Sequence, residues 1–374
     1  MFKPSLKSTW TLFLLAAVSY GLYLWAWNSR VDHRQIRYQE KLAAARLMDR
    51  ALHALKEHQA PNGVLVDDIN DPWNTLLIGQ KFTQITSLEG DLRSKQSSLN
   101  PNVAALVVQL MVEAGVKEND RVAVCLTGDF PGINIAVYAA CQVLKLEPVV
   151  ITSVSSSWFG ANDPDFTWLD METVLRDRGV FPWTSRYASV GGADDRGESL
   201  SPEGRELIRA AIKRNKCEYL NPANLQKAVD LRIQAFQQEV SDSPRGYDLF
   251  VNVGEGVASL GHMDNAALLP SGVAHNVRLM DFPDRGVLHF FADGGVPVIN
   301  LVKLSLLMRE YGLPLSPDEL PEIGEGSIFV TERHNLKVVL VSTLLLTVLV
   351  LFVIRTDLRS QKLREPDLGS DEIL

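Results

Sequence analysis

The stretch that decides the fold runs from Asp120 to Trp158 and reads "DRVAVCLTGDFPGINIAVYAACQVLKLEPVVITSVSSSW". Two short apolar runs, residues 122–126 and 148–153, flank a longer apolar segment at 133–144. The pattern predicts strand, helix, strand, and a helix between two apolar strands requires those strands to be parallel. We therefore expect an α/β body with a Rossmann-like parallel sheet.

Composition narrows the classes of partner. The chain has 374 residues and a net charge of -8, and no basic face is visible in the sequence. Nucleic-acid binding is disfavoured because phosphate neutralisation needs clustered Lys and Arg. The three cysteines show neither a CxxC pair nor zinc-type spacing, so we expect Cys125 and Cys141 to be small buried hydrophobic residues.

Two hydrophobic segments bracket the body. Residues 8–29 carry no charge and have tryptophans near both ends, and residues 338–354 form an apolar run between Lys337 and Arg355. Both lengths suit membrane helices. We predict an N-terminal anchor at 1–30, a body at 61–334, a second membrane helix at 335–355 and a polar, disordered tail at 356–374.

Basic residues flank both ends of these segments. The rule that cytoplasmic loops carry more Lys and Arg therefore separates the two membrane orientations only weakly. Lys3, Lys7 and the basic residues after Ile354 favour cytoplasmic termini. We expect a cell-membrane protein with two spans and a body outside the cytoplasm.

Residues 31–60 predict an amphipathic juxtamembrane helix. Apolar residues recur at steps of three and four in a stripe that runs from Tyr38 to Leu55. The stripe either pairs with a second copy or a partner, giving a homo-oligomer, or packs on its own domain.

Three predicted strands end at glycine-marked acids. Asp129 follows "VCLTG", Glu255 follows "VNVG", and Asp293 follows "VLHFFA", which we interpret as a strand whose successor, beginning at Val296, is a helix. Ligands bind beyond the carboxyl ends of parallel strands, so the three acids are candidate catalytic residues of one crevice. Nearby small residues are candidate ligand contacts: Gly128, Gly132, Gly254, Gly256, Gly294 and Gly295, with Ser155, Ser156 and Ser157 after another strand.

Clustered carboxylates can hold a divalent cation or serve as an acid/base pair. The alternative is ordinary turn chemistry, because Asp and Gly are common in turns and acids favour helix starts. The sequence lacks HExxH, Walker A and GxSxG motifs, and the glycine spacing of "GEGVASLG" departs from GxGxxG. Enzymatic activity and metal identity therefore stay open.

Several blocks together resemble the bacterial poly-gamma-glutamate system protein family. They are "NPNVAALVVQLMVEAGVKENDRVAVCLTGDFPGINIAVYAACQ", "ITSVSSSWFGANDPDFTWLDMETVL" and "NVGEGVASLG", within a frame of two terminal hydrophobic segments. The resemblance implies an accessory role in synthesis, export or anchoring of this polymer, with the synthase and its membrane components as partners. It supplies no catalytic residues. A membrane-tethered hydrolase or transferase acting on the amide-linked polymer is the alternative.

Overall fold

The computed structural model describes residues 5–62, 67–242 and 245–362. It divides into two compact units, a terminal unit made of Met1–Arg34 with Val330–Leu374 and a body made of Gln35–Phe329. Residues 363–374, most of the predicted polar tail, lie outside the described residues.

The α-helices, in chain order from α1 to α13, are Thr9–Asn28, Tyr38–Gln59, Leu92–Ser98, Val103–Glu113, Pro131–Leu144, Trp168–Asp177, Pro202–Arg214, Leu225–Glu239, Val257–Leu260, Asn265–Leu268, Val287–Asp293, Leu304–Glu310 and Leu336–Lys362. The strands, from β1 to β13, are Arg30–Arg34, Thr86–Leu88, Arg121–Thr127, Glu147–Ser153, Ser156–Ser157, Asn162–Asp163, Phe166–Thr167, Tyr187–Ser189, Glu218–Tyr219, Leu249–Val253, Gly272–Val273, Val298–Leu301 and Val330–His334. Three short 3₁₀ helices, Ala60–Asn62, Ala193–Asp195 and Val277–Leu279, complete the described elements.

The terminal unit contains two long apolar helices, α1 and α13, which contact each other. Both are long and apolar enough to cross a membrane. Their apolar side chains, such as those of Phe13 and Leu344, are mostly exposed, unlike those of a core helix in a soluble protein. Strands β1 and β13 follow and precede these helices and pair antiparallel.

The body is a mixed α/β unit around a seven-stranded, mostly parallel sheet. The strand order is β11-β12-β10-β3-β4-β8-β9, and only β11 runs antiparallel to its neighbour. After β3 the chain adds β4, β8 and β9 on one side, then returns to place β10 on the other. The strand order therefore reverses between β3 and β10, which is where open α/β sheets commonly bind ligands.

The predicted strand–helix–strand unit is confirmed. Strands β3 and β4 are parallel neighbours with Arg121 opposite Glu147, and α5 connects them. Helix α5 begins with Pro131, whose fixed φ suits a first helical turn, and ends before Lys145 in the left-handed conformation. Its side chains are buried along most of its length.

Helices cover both faces of the sheet. On one face, Phe236 of α8, Phe250 of β10 and Phe291 of α11 form an aromatic cluster, with the rings of Phe250 and Phe291 stacked at 4.8 Å. Strand side chains alternate between faces, so Val122 and Val124 lie on the face opposite Ala123. The core is therefore closed on both sides by apolar helices.

Helix α2 packs within the body, against α4, α5 and α6. The helix is shorter than the predicted range of 31–60: it spans Tyr38–Gln59, and strand β1 precedes it. The second half of its apolar stripe, including Met48, Leu52 and Leu55, is buried by the chain's own residues. Of the two alternatives for this stripe, packing on its own domain is the arrangement in the structure.

Two predicted elements near residue 295 are wrong. Residues 287–293 form helix α11 rather than a strand, and Val298–Leu301 is strand β12 rather than the start of a helix. A short run that is apolar on every side fits a buried helix as well as a buried strand. Here the helix closes at Gly294 and Gly295, whose φ of +77° ends it, and the β-branched residues after Pro297 extend as a strand.

The close approach of α3 to α5 gives a testable prediction. A Cβ on Gly132 would lie 2.2 Å from the backbone oxygen of Ser98, so we expect Gly132→Ala to lower the free energy of unfolding by about 2 kcal/mol. Urea unfolding of the full chain in detergent measures this. Gly246→Ala is the control, because nothing lies within 4 Å of its Cβ. Equal midpoints for the two variants would contradict the packing role of Gly132.

Candidate functional site

The candidate site lies at the carboxyl ends of β3, β4 and β10. The loops after these strands carry Asp129, Ser155 and Glu255 respectively. Because the three strands are parallel, their carboxyl ends share one edge of the sheet. The strand-order reversal between β3 and β10 brings the first and third of these loops together.

Asp129 is buried, and its carboxylate is fixed by two donors. The backbone N–H of Ser157 donates to Oδ1 at 2.7 Å, and the hydroxyl of Thr127 lies 3.0 Å from Oδ2. Ser157 belongs to the loop after β4, so this carboxylate links two neighbouring strand ends. It is therefore held in one orientation before any ligand arrives.

Glu255 stands beside Asp129 but is exposed. Partial desolvation, followed by repulsion from the Asp129 carboxylate, raises the pKa of Glu255 above its ordinary value. The approach of the two loops depends on Gly254, which has a φ of +79°. A Cβ there would lie 2.2 Å from the Thr127 hydroxyl and 3.0 Å from Asp129 Oδ2, so a side chain would push the loops apart.

A buried lysine, Lys95, bonds to the loops that follow β3 and β4. Lys95 of α3 donates to the backbone oxygen of Asp129 and, at 2.7 Å, to the hydroxyl of Ser157, and it lies 3.8 Å from the centre of the Phe130 ring. Burial lowers the pKa of Lys95 to about 8, although the nearby carboxylates of Asp129 and Glu255 oppose this shift. Lys95 thus joins the same two loops that Asp129 joins and offsets its charge.

A buried ion pair also borders the site. Asp195 and Arg232 form an ion pair with side chains only 1% and 2% exposed. The guanidinium also donates to the hydroxyls of Ser153 at 2.9 Å and Ser189 at 2.7 Å, which lie at the ends of β4 and β8. Asp195 has a φ of +59°, so its ion pair secures a strained loop to the sheet.

These groups enclose a pocket of about 110 Å³. Its lining combines apolar side chains, among them Leu88, Val257 and Met263, with five hydroxyl side chains and three carboxylates, and it includes no Lys or Arg. The charged and hydroxyl residues are Ser87, Thr127, Asp129, Ser153, Ser155, Asp195, Ser199 and Glu255. Asp195 is neutralised by Arg232, which leaves Asp129 and Glu255 as the acids able to act on a ligand. Such a pocket favours a cation, an amine or a neutral hydroxyl group over an anion.

The structure brings together some of the predicted site residues and separates others. Asp129, Glu255, Ser155 and Gly256 line the pocket, and Gly128 and Gly254 lie in its loops, whereas Ser156 and Ser157 turn inward to hydrogen-bond the loop after β3. Asp293 does not line it. That residue ends helix α11, is exposed and pairs with Arg285 at 2.8 Å, so its expected place at a strand end, with Gly294 and Gly295, is wrong.

A divalent cation is one of the two uses of clustered carboxylates that the sequence leaves open. Within the part of the chain that the structure describes, no group of three or more His, Cys, Asp or Glu side chains is arranged to hold a metal ion. The cysteines are unpaired, and burial raises the pKa of Cys125 and Cys141 to about 12, which fits inert core residues.

Sequence reasoning missed Lys95, Asp195, Arg232 and Ser153. Lys95 and Arg232 lie within helices α3 and α8, and the sequence around them gives no local signal. Asp195 does, because "GGADDRG" at residues 191–197 combines three glycines with two acids, a composition typical of a loop with left-handed residues. Only the fold shows that this loop faces the acids.

The Asp195–Arg232 pair predicts a large loss of stability on charge removal. Asp195→Asn tolerates the left-handed backbone but leaves Arg232 buried without its counter-charge, so we expect about 3 kcal/mol less free energy of unfolding. Denaturant unfolding of the full chain measures this. Asp230→Asn, which breaks the exposed pair with Lys227, should leave the unfolding midpoint nearly unchanged. Similar losses of unfolding free energy in both variants would show that the buried ion pair does not stabilise the fold.

Lys95 predicts a pH dependence of stability. Its pKa of about 8 in the folded chain lies below its ordinary 10.5, so the unfolded chain binds more protons between these values. The stability of the wild type relative to Lys95→Met should therefore rise from about pH 8 to about pH 10, by up to ~3 kcal/mol.

Unfolding curves at several pH values test this. Lys145→Met, which removes an exposed lysine paired with Glu118, serves as the control. If the free energy of unfolding changed with pH in the same way for wild type and Lys95→Met, the pKa of Lys95 would not be lowered in the folded chain.

The chain was compared with family models, curated proteins and solved structures. It matches no protein-family model, no curated protein and no solved structure. No function is transferred to it from a relative, and the geometry of the pocket carries the functional conclusion.

Proposed function

We propose that this protein is a membrane-anchored accessory component of poly-gamma-glutamate synthesis, export or anchoring, whose body binds an amine-bearing group at Asp129 and Glu255. The observation that carries the binding role is the acidic, hydroxyl-lined pocket at the strand-order reversal. Support for the polymer comes from the sequence blocks that resemble the poly-gamma-glutamate system protein family.

The proposal includes the location of the protein. Helices α1 and α13 anchor it in the cell membrane as two spans, with both termini in the cytoplasm and a Rossmann-like body outside. The length and apolar character of the helices support this arrangement. Synthase and membrane components of the polymer system are the partners in this proposal.

The charge of the pocket bears on which part of the polymer it takes. Each unit of poly-gamma-glutamate carries a free carboxylate, and the acids of the pocket repel such a group. The unit at the amino end differs in that it also carries an ammonium group, on the same carbon as its carboxylate, and this ammonium can donate hydrogen bonds to Asp129 and Glu255. The small volume, about 110 Å³, suits a terminal group rather than a length of polymer.

A second candidate function rests on the same two acids. The exposed Glu255 carboxyl has a raised pKa beside the buried Asp129 carboxylate, a difference in environment that acid/base catalysis uses. A hydrolase or transferase of the amide-linked polymer would place the scissile amide between them. Incubating the full chain with the polymer discriminates, because only the enzyme shortens chains and Glu255→Gln would abolish the shortening.

The binding role predicts selective loss of affinity for an amine. We expect the full chain in detergent to bind a short gamma-glutamyl oligomer with a free amino end, and Asp129→Asn to weaken this about tenfold because a charged hydrogen bond is lost. Isothermal titration measures the affinity. Asp293→Asn is the matched control, because that acid is exposed and outside the pocket.

Two outcomes would contradict the proposal at different points. Equal binding of the N-acetylated oligomer would show that the amino end is not recognised. Unchanged yield and cell attachment of the polymer after deletion of the gene would remove the polymer from the function, whatever the pocket binds.

A further inference from the structure

The terminal unit carries a charged ribbon directly beside its two apolar helices. Strands β1 and β13 pair antiparallel with Asp32 opposite Glu332 and Val31 opposite Arg333. One residue separates α1 from β1 and one separates β13 from α13, so the ribbon begins where both helices end. The residues of β1 are exposed, as are Glu332, Arg333 and His334 of β13.

The ribbon separates its charges by face. Neighbouring residues of a strand point to opposite faces, so Asp32 and Glu332 share one face with Arg30, whose guanidinium pairs with Glu332 at 3.0 Å. The other face carries His33 and Arg333 and no carboxylate. We call this second face, together with Lys337 of α13, the basic face.

The cations of the basic face have no acidic partner. In residues 5–62, 67–242 and 245–362, neither Arg333 nor Lys337 forms an ion pair, and both are exposed. A depression of about 820 Å³ is lined by the ribbon and the start of α13. His33, Arg333 and Lys337 border it, as does the Arg30–Glu332 ion pair, in which Arg30 offsets the one carboxylate of the lining. It is large enough for a phosphate group with a small alcohol attached.

Aromatic residues at the end of α1 support a position of the ribbon at the depth of lipid headgroups. Trp27, in the last turn of α1, is exposed, and its ring lies 5.4 Å from that of His334 and 5.7 Å from the Arg30 guanidinium. Tryptophan at the end of a membrane helix is typical of the membrane–water interface. Basic side chains at that level meet the phosphates of the bilayer.

We propose that the basic face binds the phosphate of an anionic phospholipid headgroup, such as that of phosphatidylglycerol. This inference rests on the membrane anchoring in the proposed function and is independent of the polymer and of the Asp129–Glu255 pocket. A lipid is favoured over free phosphate because the adjoining apolar helices can contact its acyl chains while Arg333 and Lys337 hold its headgroup.

The test uses the full chain in phosphatidylcholine nanodiscs that contain a minority of phosphatidylglycerol. Native mass spectrometry after release measures which lipids stay bound. We expect phosphatidylglycerol to be enriched on the wild type and about fivefold less enriched on Arg333→Gln/Lys337→Gln. The charge-keeping variant Arg333→Lys/Lys337→Arg should retain the lipid, which separates loss of charge from damage to the ribbon.

The matched control neutralises one arginine and one lysine on the surface of the body, in Arg50→Gln/Lys117→Gln, and should retain the lipid. Equal enrichment in all four proteins would overturn the lipid site while leaving the anchoring intact. Release of the wild type from membranes by carbonate would overturn the anchoring as well. The last measurement is the thermal midpoint of the lipid-free chain in detergent, with and without inorganic phosphate. If phosphate raises the midpoint of the wild type but not that of Arg333→Gln/Lys337→Gln, the basic face binds free anions instead of a lipid.

Discussion

The site depends on the buried carboxylate of Asp129, which joins the ends of two parallel strands. It accepts the Ser157 N–H from the loop after β4, while the Thr127 hydroxyl fixes its other oxygen. A buried carboxylate needs a compensating charge, and Lys95 supplies one from α3 while bonding to both loops. The lysine in turn is tolerated only because these acceptors surround it, so carboxylate and amine stabilise each other and the pocket wall.

The same interactions explain why the pocket is negative although two cations lie within hydrogen-bonding reach of its walls. Lys95 and Arg232 are directed at groups of the protein and are almost fully buried, so neither reaches a ligand. Only Glu255 is both charged and exposed beside the opening. An anionic ligand would meet the exposed carboxylate of Glu255, which forms no ion pair among the described residues, whereas an ammonium could donate a hydrogen bond to it.

Sequence patterns predicted the parts of the fold that depend on local rules. The β3–α5–β4 unit follows from two apolar runs around a proline-started helix, and the acids at 129 and 255 follow from the position of glycine after a strand. The prediction failed at Asp293 because "VLHFFAD" is apolar on all sides and its periodicity does not separate helix from strand. Lys95, Asp195 and Arg232 were beyond reach, because their roles arise from contacts between residues 34 to 79 positions apart.

The two charged regions of the chain, the pocket and the ribbon, present charges of opposite sign to a ligand. Around the pocket, Arg232 is ion-paired with Asp195 and Lys95 is hydrogen-bonded to Asp129 and Ser157, so the charge offered to a ligand is that of the exposed acid. On the ribbon, the register of β1 and β13 places Asp32 and Glu332 on one face and leaves Arg333 exposed on the other, without an ion pair among the described residues. A shift of that register by one residue would place Arg333 on the same face as Asp32, whereas Glu332, its neighbour on the strand, would move to the face of His33, so that each face would carry one carboxylate. The pairing of the strands beside the two apolar helices therefore determines which charge the chain presents at that interface.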